Sequence, residues 1–553
     1  MESELILPDK KLLFTVEYDN LRFGVNFLDE DNIIVHKDTS GHIIATRNRC
    51  KHQGHRFGKT NGCVLTCSGH GWKLDASSMV YASPLGGLKQ EQLFVEKTQQ
   101  GQVRFFEMLS APWEMNPQGV ELLSPLEFTI RFYAHACAEI RCGSKSLFTD
   151  PWLIGPAFTR GWWLAHRPPP DWLDRLASAD AIYISHNHSD HLSVHTLRQL
   201  AARNSTVQIF LPAFEHDYCT PLLNRIGLLN VTVTPFGTWT PLDEFTRFMI
   251  LQDGTGRNDS GILVEYKGHR ILNTVDSQNL NNGILPRVEM LLTSFAGGAS
   301  GYPVCWEDYS QQRRKEILQK KRHAVLLNVI NMVTKTRPRF YVPFAGYFTE
   351  AHPADHAMKI LNTKNTPEQV RELLRQHCPD TATWIPQPGA TFDIGQGEQV
   401  HAVSVSPEVV QEMDHDFDPY IQEIYESRNF APLQTQEGLR AYFDWAGFRG
   451  NMVLHVMETD EDFLSVVREF YVDFENLSFL QSRPEREHLY LRMRCRSDVF
   501  RHVLRNGLPW EEISIGFQAR FHREPDIYEF DFWDHFQNKL PRTLPNWSNH
   551  VPC

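Results

Sequence analysis

The chain lacks any long hydrophobic run. Its most apolar late stretch, "HAVLLNVINMV" (323–333), is broken by Asn and is much shorter than the roughly 20 residues a membrane-spanning helix needs, so no membrane span is expected. The start, "MESELILPDKKLLF", has no apolar core of the kind a secretory leader carries. Cysteine is sparse: ten residues without framework spacing exclude a disulfide scaffold and fit a reducing compartment, so a cytoplasmic location is expected. The terminal "VPC" places Cys553 last, whereas prenylation requires the cysteine fourth from the end. Positive charge is in deficit. With 55 Lys and Arg against 67 Asp and Glu, the net charge of −12 argues against a broad polyanion-binding face, and nucleic acid is not an expected partner. A local basic pocket for a small anion is compatible with that balance. Internal repeats, collagen-like segments and coiled-coil heptads are also missing.

What is present is an ordinary globular composition, 41% apolar and 22% charged, on a chain of 553 residues that is too long for one core. Short alternating runs such as "LLFTVEY", "NIIVHKD" and "HIIATR" predict an all-β domain over residues 10–110. The segment "LSAPWEMNPQG" (109–119) has linker composition. Over 120–400, apolar strands ("AIYISHN", "VQIFLPA", "GILVEYKG", "MLLTSFAGG") alternate with helical patterns, which predicts a central α/β domain. Residues 405–553 are mixed and rich in aromatics, predicting a C-terminal α+β region. The expected fold class is thus multidomain, α/β plus β.

Two constellations carry chemistry. The first is Cys50, His52, Cys67 and His70, in the pattern C-x-H then C-x-x-H followed by "GWKLD". Two thiolates and two imidazoles in paired short spacings can hold zinc, or share a [2Fe–2S] cluster with two Cys on one iron and two His on the other. The Cys-then-His order gives each loop one ligand for each iron. "CSGHGWKLD" resembles Rieske domains, which implies a cluster with a potential of roughly −150 to +300 mV. Position 55, where some Rieske proteins carry a bridging cysteine, is His here. Cys63 reads as a small buried thiol.

The second constellation is "SHNHSDHL", with His186, His188, Asp190 and His191 in the loop between the strand-like "AIYI" and the helical "HLSVHTLRQLAAR". Ligands at the C-terminal end of a strand are where α/β sites form. H-x-H-x-D-H in that setting resembles the metallo-β-lactamase fold. That resemblance implies roles for Asp150 ("LFTDPWL") as an orienting carboxylate, Asp276 ("HRILNTVDS") as a further ligand and His352 ("EAHPAD") as the late histidine. The hydrolases of the fold carry another histidine where this chain reads "RFMILQDGTG"; Asp253 there is either a ligand or a loop carboxylate capping a turn. A His-rich site with carboxylates also suits mononuclear non-haem iron.

Other features are less specific. "RGWWLAHRPPPDW" (160–172) suits either a pocket rim or a packed loop, and Arg160, Arg167, Lys335, Arg337 and Arg339 suit either an anion site or solvated surface charge. "SFAGGASGYP" (294–303) lacks a nucleotide-binding context.

A one-electron carrier does not assist hydrolysis, whereas an adjacent metal fed with electrons can split dioxygen; zinc, being redox-inert, cannot. Together the two sites predict a monooxygenase. Over nearly its full length, in "DPWLIGPAFTRGWW", "YISHNHSDHLS", "FAGGASG", "PFAGYF", "RHVLRNGLPWEE" and "IGFQARFHREPDIY", the chain resembles the CMP-N-acetylneuraminate hydroxylase family. The resemblance implies hydroxylation of the N-acetyl methyl group of CMP-N-acetylneuraminate, with electrons from cytochrome b5 and its NADH-dependent reductase. Two other classes stay open on the residues alone: a metal-dependent hydrolase with a redox-regulatory Rieske domain, and an electron carrier with a degenerate second site.

Overall fold

The computed structural model describes residues 10–51, 55–58, 62–68, 71–83, 88–98, 100–108, 120–350, 352–401 and 417–547. The N-terminal part consists of three small antiparallel sheets. Lys10–Glu17, Gln102–Met108 and Phe94–Lys97 form one, Gly24–Leu28, Ile33–Lys37 and Ile43–Arg47 the second, and Val64–Thr66, Lys73–Asp75 and Val80–Ser83 the third. Trp72, Phe57 and Tyr81 fill the core beneath the third sheet, and Phe530 from the far end of the chain joins them.

The central part is a sandwich of an eight-stranded and a seven-stranded sheet. Ala181–Tyr183 runs parallel between Lys145–Thr149 and Ile209–Pro212, and all three of its residues are buried. It reads as an unbroken apolar run because both faces of a parallel strand are covered. Ala181 and Tyr183 face the second sheet in a core shared with Phe248, Ile262, Leu291 and Val342. Ile182 and Ile184 face outward instead, onto Leu197 and Leu200 of helix Val194–Arg203. That helix starts where Ser193 accepts a hydrogen bond from the Thr196 N–H, a cap typically worth about 1 kcal/mol. The long helix Gln311–Thr336 packs Val329, Met332 and Val333 against the second sheet's side.

The C-terminal part is a five-stranded sheet around the parallel pair Met452–Thr459 and Leu489–Arg496, with helices that include Ser497–Asn506 and Phe530–Asn538. Its Phe443, Phe500, Trp510 and Phe536 belong to the same apolar cluster as Trp152, Ile182 and Leu197. At roughly 1.5–3 kcal/mol for each large apolar side chain fully buried, this cluster clamps the C-terminal part onto the loops of the first sheet. Among the described residues, no helix is long and apolar enough to cross a membrane.

Candidate metal centre

The strand Ala181–Tyr183 ends in the loop 185–192, and the strand Lys145–Thr149 beside it ends at Asp150. Asp150 is fully buried and saturated: it accepts from the Ser185 N–H at 2.7 Å, from the Ser185 hydroxyl at 2.8 Å and from His191 Nδ1 at 2.9 Å. These bonds orient His191, so that its Nε2 lies 3.5 Å from Asp190 and 3.5 Å from Asp276. His135 Nε2 lies 3.3 Å from the same Asp190 carboxylate. His186 accepts or donates at Nδ1 with Ser185 Oγ at 2.9 Å, and its Nε2 is 2.8 Å from His188 Nδ1 and 3.8 Å from Asp259. His188 is bonded on its other nitrogen to Glu511.

Among the described residues two donor groups result, each with ligand atoms within 4.8 Å of one another: His135, Asp190 and His191, and His186, His191 and Asp276. His191 is common to both. Both nitrogens of His135, Oδ1 of Asp190 and Nε2 of His191 are buried without a well-directed hydrogen bond. Leaving a polar group so costs about 1–3 kcal/mol. Three residues, each offering one ligand atom to a common point, are what a bound cation would satisfy, and imidazole with carboxylate suits a borderline first-row metal. The residues therefore fit a metal.

The charge states follow the same geometry. Burial disfavours the cation at His191, but Asp190 and Asp150 outweigh it and hold the pKa well above 6.5. At His188 burial is again the larger influence, and Glu511 with its neighbours overcomes it, raising the pKa to about 9. His186 is lowered by burial and by the charges on His191 and His188. Arg257, 3.0 Å from Asp259, adds a cation at the rim.

Of the expected ligands, the structure brings His186, Asp190, His191 and Asp276 together, with His188 stacked edge-on to His186 at 4.5 Å between ring centres. His352 is in neither group. Its Nδ1 accepts from the Ala354 N–H at 3.2 Å, and its Nε2, buried without a well-directed hydrogen bond, lies 2.8 Å from Glu461. Asp253 resolves as a loop tie: it accepts from the Thr255 N–H at 2.6 Å, Ser277 Oγ at 2.6 Å and the Asn279 N–H at 3.3 Å. Arg160 is fully buried, 2.9 Å from Asp498 and stacked over Tyr425, which leaves it no role as an exposed anion ligand. Sequence reasoning missed His135 and Glu511. His135 stands at φ 40 in the tight connection between Phe128–Ala134 and Cys137–Cys142, and a histidine at such a hairpin tip was the one available signal.

In the N-terminal part, Cys50 and Cys67 are buried, and His52 and His70 lie outside the described residues. The Tyr81 hydroxyl is 3.7 Å from Cys50 Sγ and close enough to Cys67 to feel its charge as well. Two buried thiols converging on one hydroxyl fit a cluster's thiolate-bound iron, whose sulfurs such donors tune.

Comparison with known proteins matches two domains of the chain. A model of the Rieske [2Fe–2S] domain matches residues 14–90, and one of the β-lactamase superfamily domain matches residues 129–281. The chain is 41% identical to the cytidine monophosphate-N-acetylneuraminic acid hydroxylase of Mus musculus, over 98% of this chain and 97% of that protein. The protein of the same name from Macaca mulatta is 42% identical over 98% and 95%, and that from Asterias rubens 39% over 98% and 89%.

Proposed function

Because the chain belongs to the cytidine monophosphate-N-acetylneuraminic acid hydroxylase family, we propose that its second metal is non-haem iron, held by His135, His186, Asp190, His191 and Asp276. The enzyme is a monooxygenase that converts CMP-N-acetylneuraminate to its N-glycolyl form, and it carries a [2Fe–2S] Rieske cluster. When bound, the iron supplies the electron-accepting, oxygen-activating chemistry that zinc lacks. Asp150 fixes the tautomer of His191 so that Nε2 faces the centre. His188 and Glu511 form a proton-holding pair at its edge, with Glu511 delivered by the C-terminal part. The apolar packing of Phe158, Trp162 and Phe348 beside the loop keeps bulk water from one flank.

The observation that carries this reading is the convergence of the buried His135, Asp190 and His191 donors in a chain that also buries Cys50 and Cys67. The cluster's ligands are assigned as Cys50, His52, Cys67 and His70. Electron delivery is assigned to cytochrome b5 and its NADH-dependent reductase, as the family resemblance implies. A cytoplasmic setting is in keeping with Cys137, Cys142, Cys219, Cys305, Cys378 and Cys495 all carrying unbridged thiols. Family membership also sets aside the hydrolase alternative.

Metal analysis of purified protein tests the assignment. Iron from the cluster plus further iron at the second site is expected; iron for the cluster alone with zinc at the second site would overturn it.

A further inference from the structure

One contact outside the metal donors joins the two redox sites. Lys51 follows Cys50 in the chain, and its Nζ is hydrogen-bonded to Oδ1 of Asn282. Next to Asn282, the carbonyl of Gly283 accepts from Lys335 Nζ at 3.0 Å. Glu91, from the N-terminal part, interacts with the charges of both Lys51 and Lys335 and takes a hydrogen bond from Asn279. The packing there is close. A Cβ at Gly283 would lie 2.6 Å from Lys335 Nζ and 3.5 Å from both Glu91 Oε1 and Asn279 Oδ1.

The same segment begins at a candidate metal donor. Asp276 is 3.5 Å from His191, and the next residues are tied down by Asp253 through Ser277 and Asn279. A short stretch of backbone therefore leads from a metal donor to the partner of the residue beside Cys50. A second contact flanks it: Trp72 packs edge-on to Phe530 at 6.0 Å, near Tyr528, which feels the charge of Glu511.

We infer that electrons cross from cluster to metal site within a single chain, over the Lys51–Asn282 contact, with Glu91 as the positioning residue that holds the two parts in register. The inference rests on the functional reading above. Each crossing oxidises the cluster by one electron and reduces the metal site by one. A turnover that puts one oxygen atom into substrate and releases the other as water needs two crossings, with the external one-electron donor re-reducing the cluster between them. An ion cluster of two lysines around one carboxylate serves placement, since a buried pair contributes little net stability but is costly to leave half-made.

The test uses the holoenzyme with its cluster reduced in advance. Mixed with oxygen and CMP-N-acetylneuraminate, its cluster reoxidation is followed by visible absorption and freeze-quench EPR. Glu91→Gln and Asn282→Gly, the latter keeping the left-handed backbone that Asn282 adopts at φ 55, should each slow reoxidation about tenfold or more, by loss of placement, with the cluster's EPR spectrum and iron content unchanged. Unaltered rates in both variants would overturn the inference while leaving the functional reading intact. So would restored hydroxylation when Cys67→Ser and His188→Ala chains are co-expressed, because transfer would then run between chains. A wild-type cluster that stays reduced under these conditions would overturn the functional reading and this inference with it.

Discussion

Asp150 and His191 are both fully buried, and their 2.9 Å contact is the support on which the metal centre stands. Asp150→Asn preserves the shape but removes the charge that fixes the imidazole. Loss of such a supporting carboxylate typically lowers metal affinity about 10–100-fold. A chelator titration of the second metal, with the cluster's absorption as internal reference, should show that fall; identical titrations of variant and wild type would show the contact to be only structural.

His135 and His352 separate by the same kind of measurement. His135→Ala should deplete the second metal and leave the cluster signal unchanged. His352→Ala should keep the metal but destabilise the fold by about 1–3 kcal/mol, because Glu461 and the turn at Ala354 lose a buried partner. Metal content and denaturant midpoints of both variants decide it, and metal loss from His352→Ala would restore that residue to the ligand set.

Glu511→Ala removes the partner of His188 without touching the cluster. The expected result is lowered hydroxylation, with the basicity of His188 falling from about 9, since burial then acts without its main counterweight. Unchanged titration of His188 by NMR on protein stripped of its second metal would contradict the pairing.

Glu512 gives a pH signature of stability. Burial raises its pKa from 4.5 to about 7, against hydrogen bonds from Ser189 and Thr159. The fold prefers the neutral carboxyl, so its contribution is fully present below pH 4.5 and is lost as the pH rises through about 7, a change on the order of 3 kcal/mol. Glu512→Gln should flatten the decline in stability across that window; equal slopes in chemical denaturation would exclude Glu512 as its source.

Much of the candidate centre was legible because several of its donors are contiguous. His186, His188, Asp190 and His191 fall in one loop behind an apolar strand, and Asp150 and Asp276 sit where strands end. His135 was not legible, since nothing in "YAHAC" distinguishes a hairpin histidine from a packed one until the sheet is assembled. Glu511 was still less so: 323 positions separate it from His188, and only the apolar clamp of the C-terminal helices brings it there. The histidine of "EAHPAD" stands apart from both donor groups for the converse reason, because Glu461, from the same distant region, lies 2.8 Å from its Nε2. Asp253 stood between ligand and turn cap, and its carboxylate is held at the loop by Thr255, Ser277 and Asn279, as a cap is. The fold class was easier, as strand and helix periodicity are local properties and side-chain convergence is not.

The central claim is that this chain inserts one atom of dioxygen into CMP-N-acetylneuraminate using electrons that arrive through its cluster. Incubation under heavy-isotope oxygen with a reduced one-electron donor, followed by mass spectrometry of the sugar nucleotide, tests it most directly. One heavy oxygen atom in the N-acyl group of the product is the predicted result, absent in both Cys67→Ser and His188→Ala. A product free of heavy oxygen, or one formed equally well by Cys67→Ser, would contradict the account.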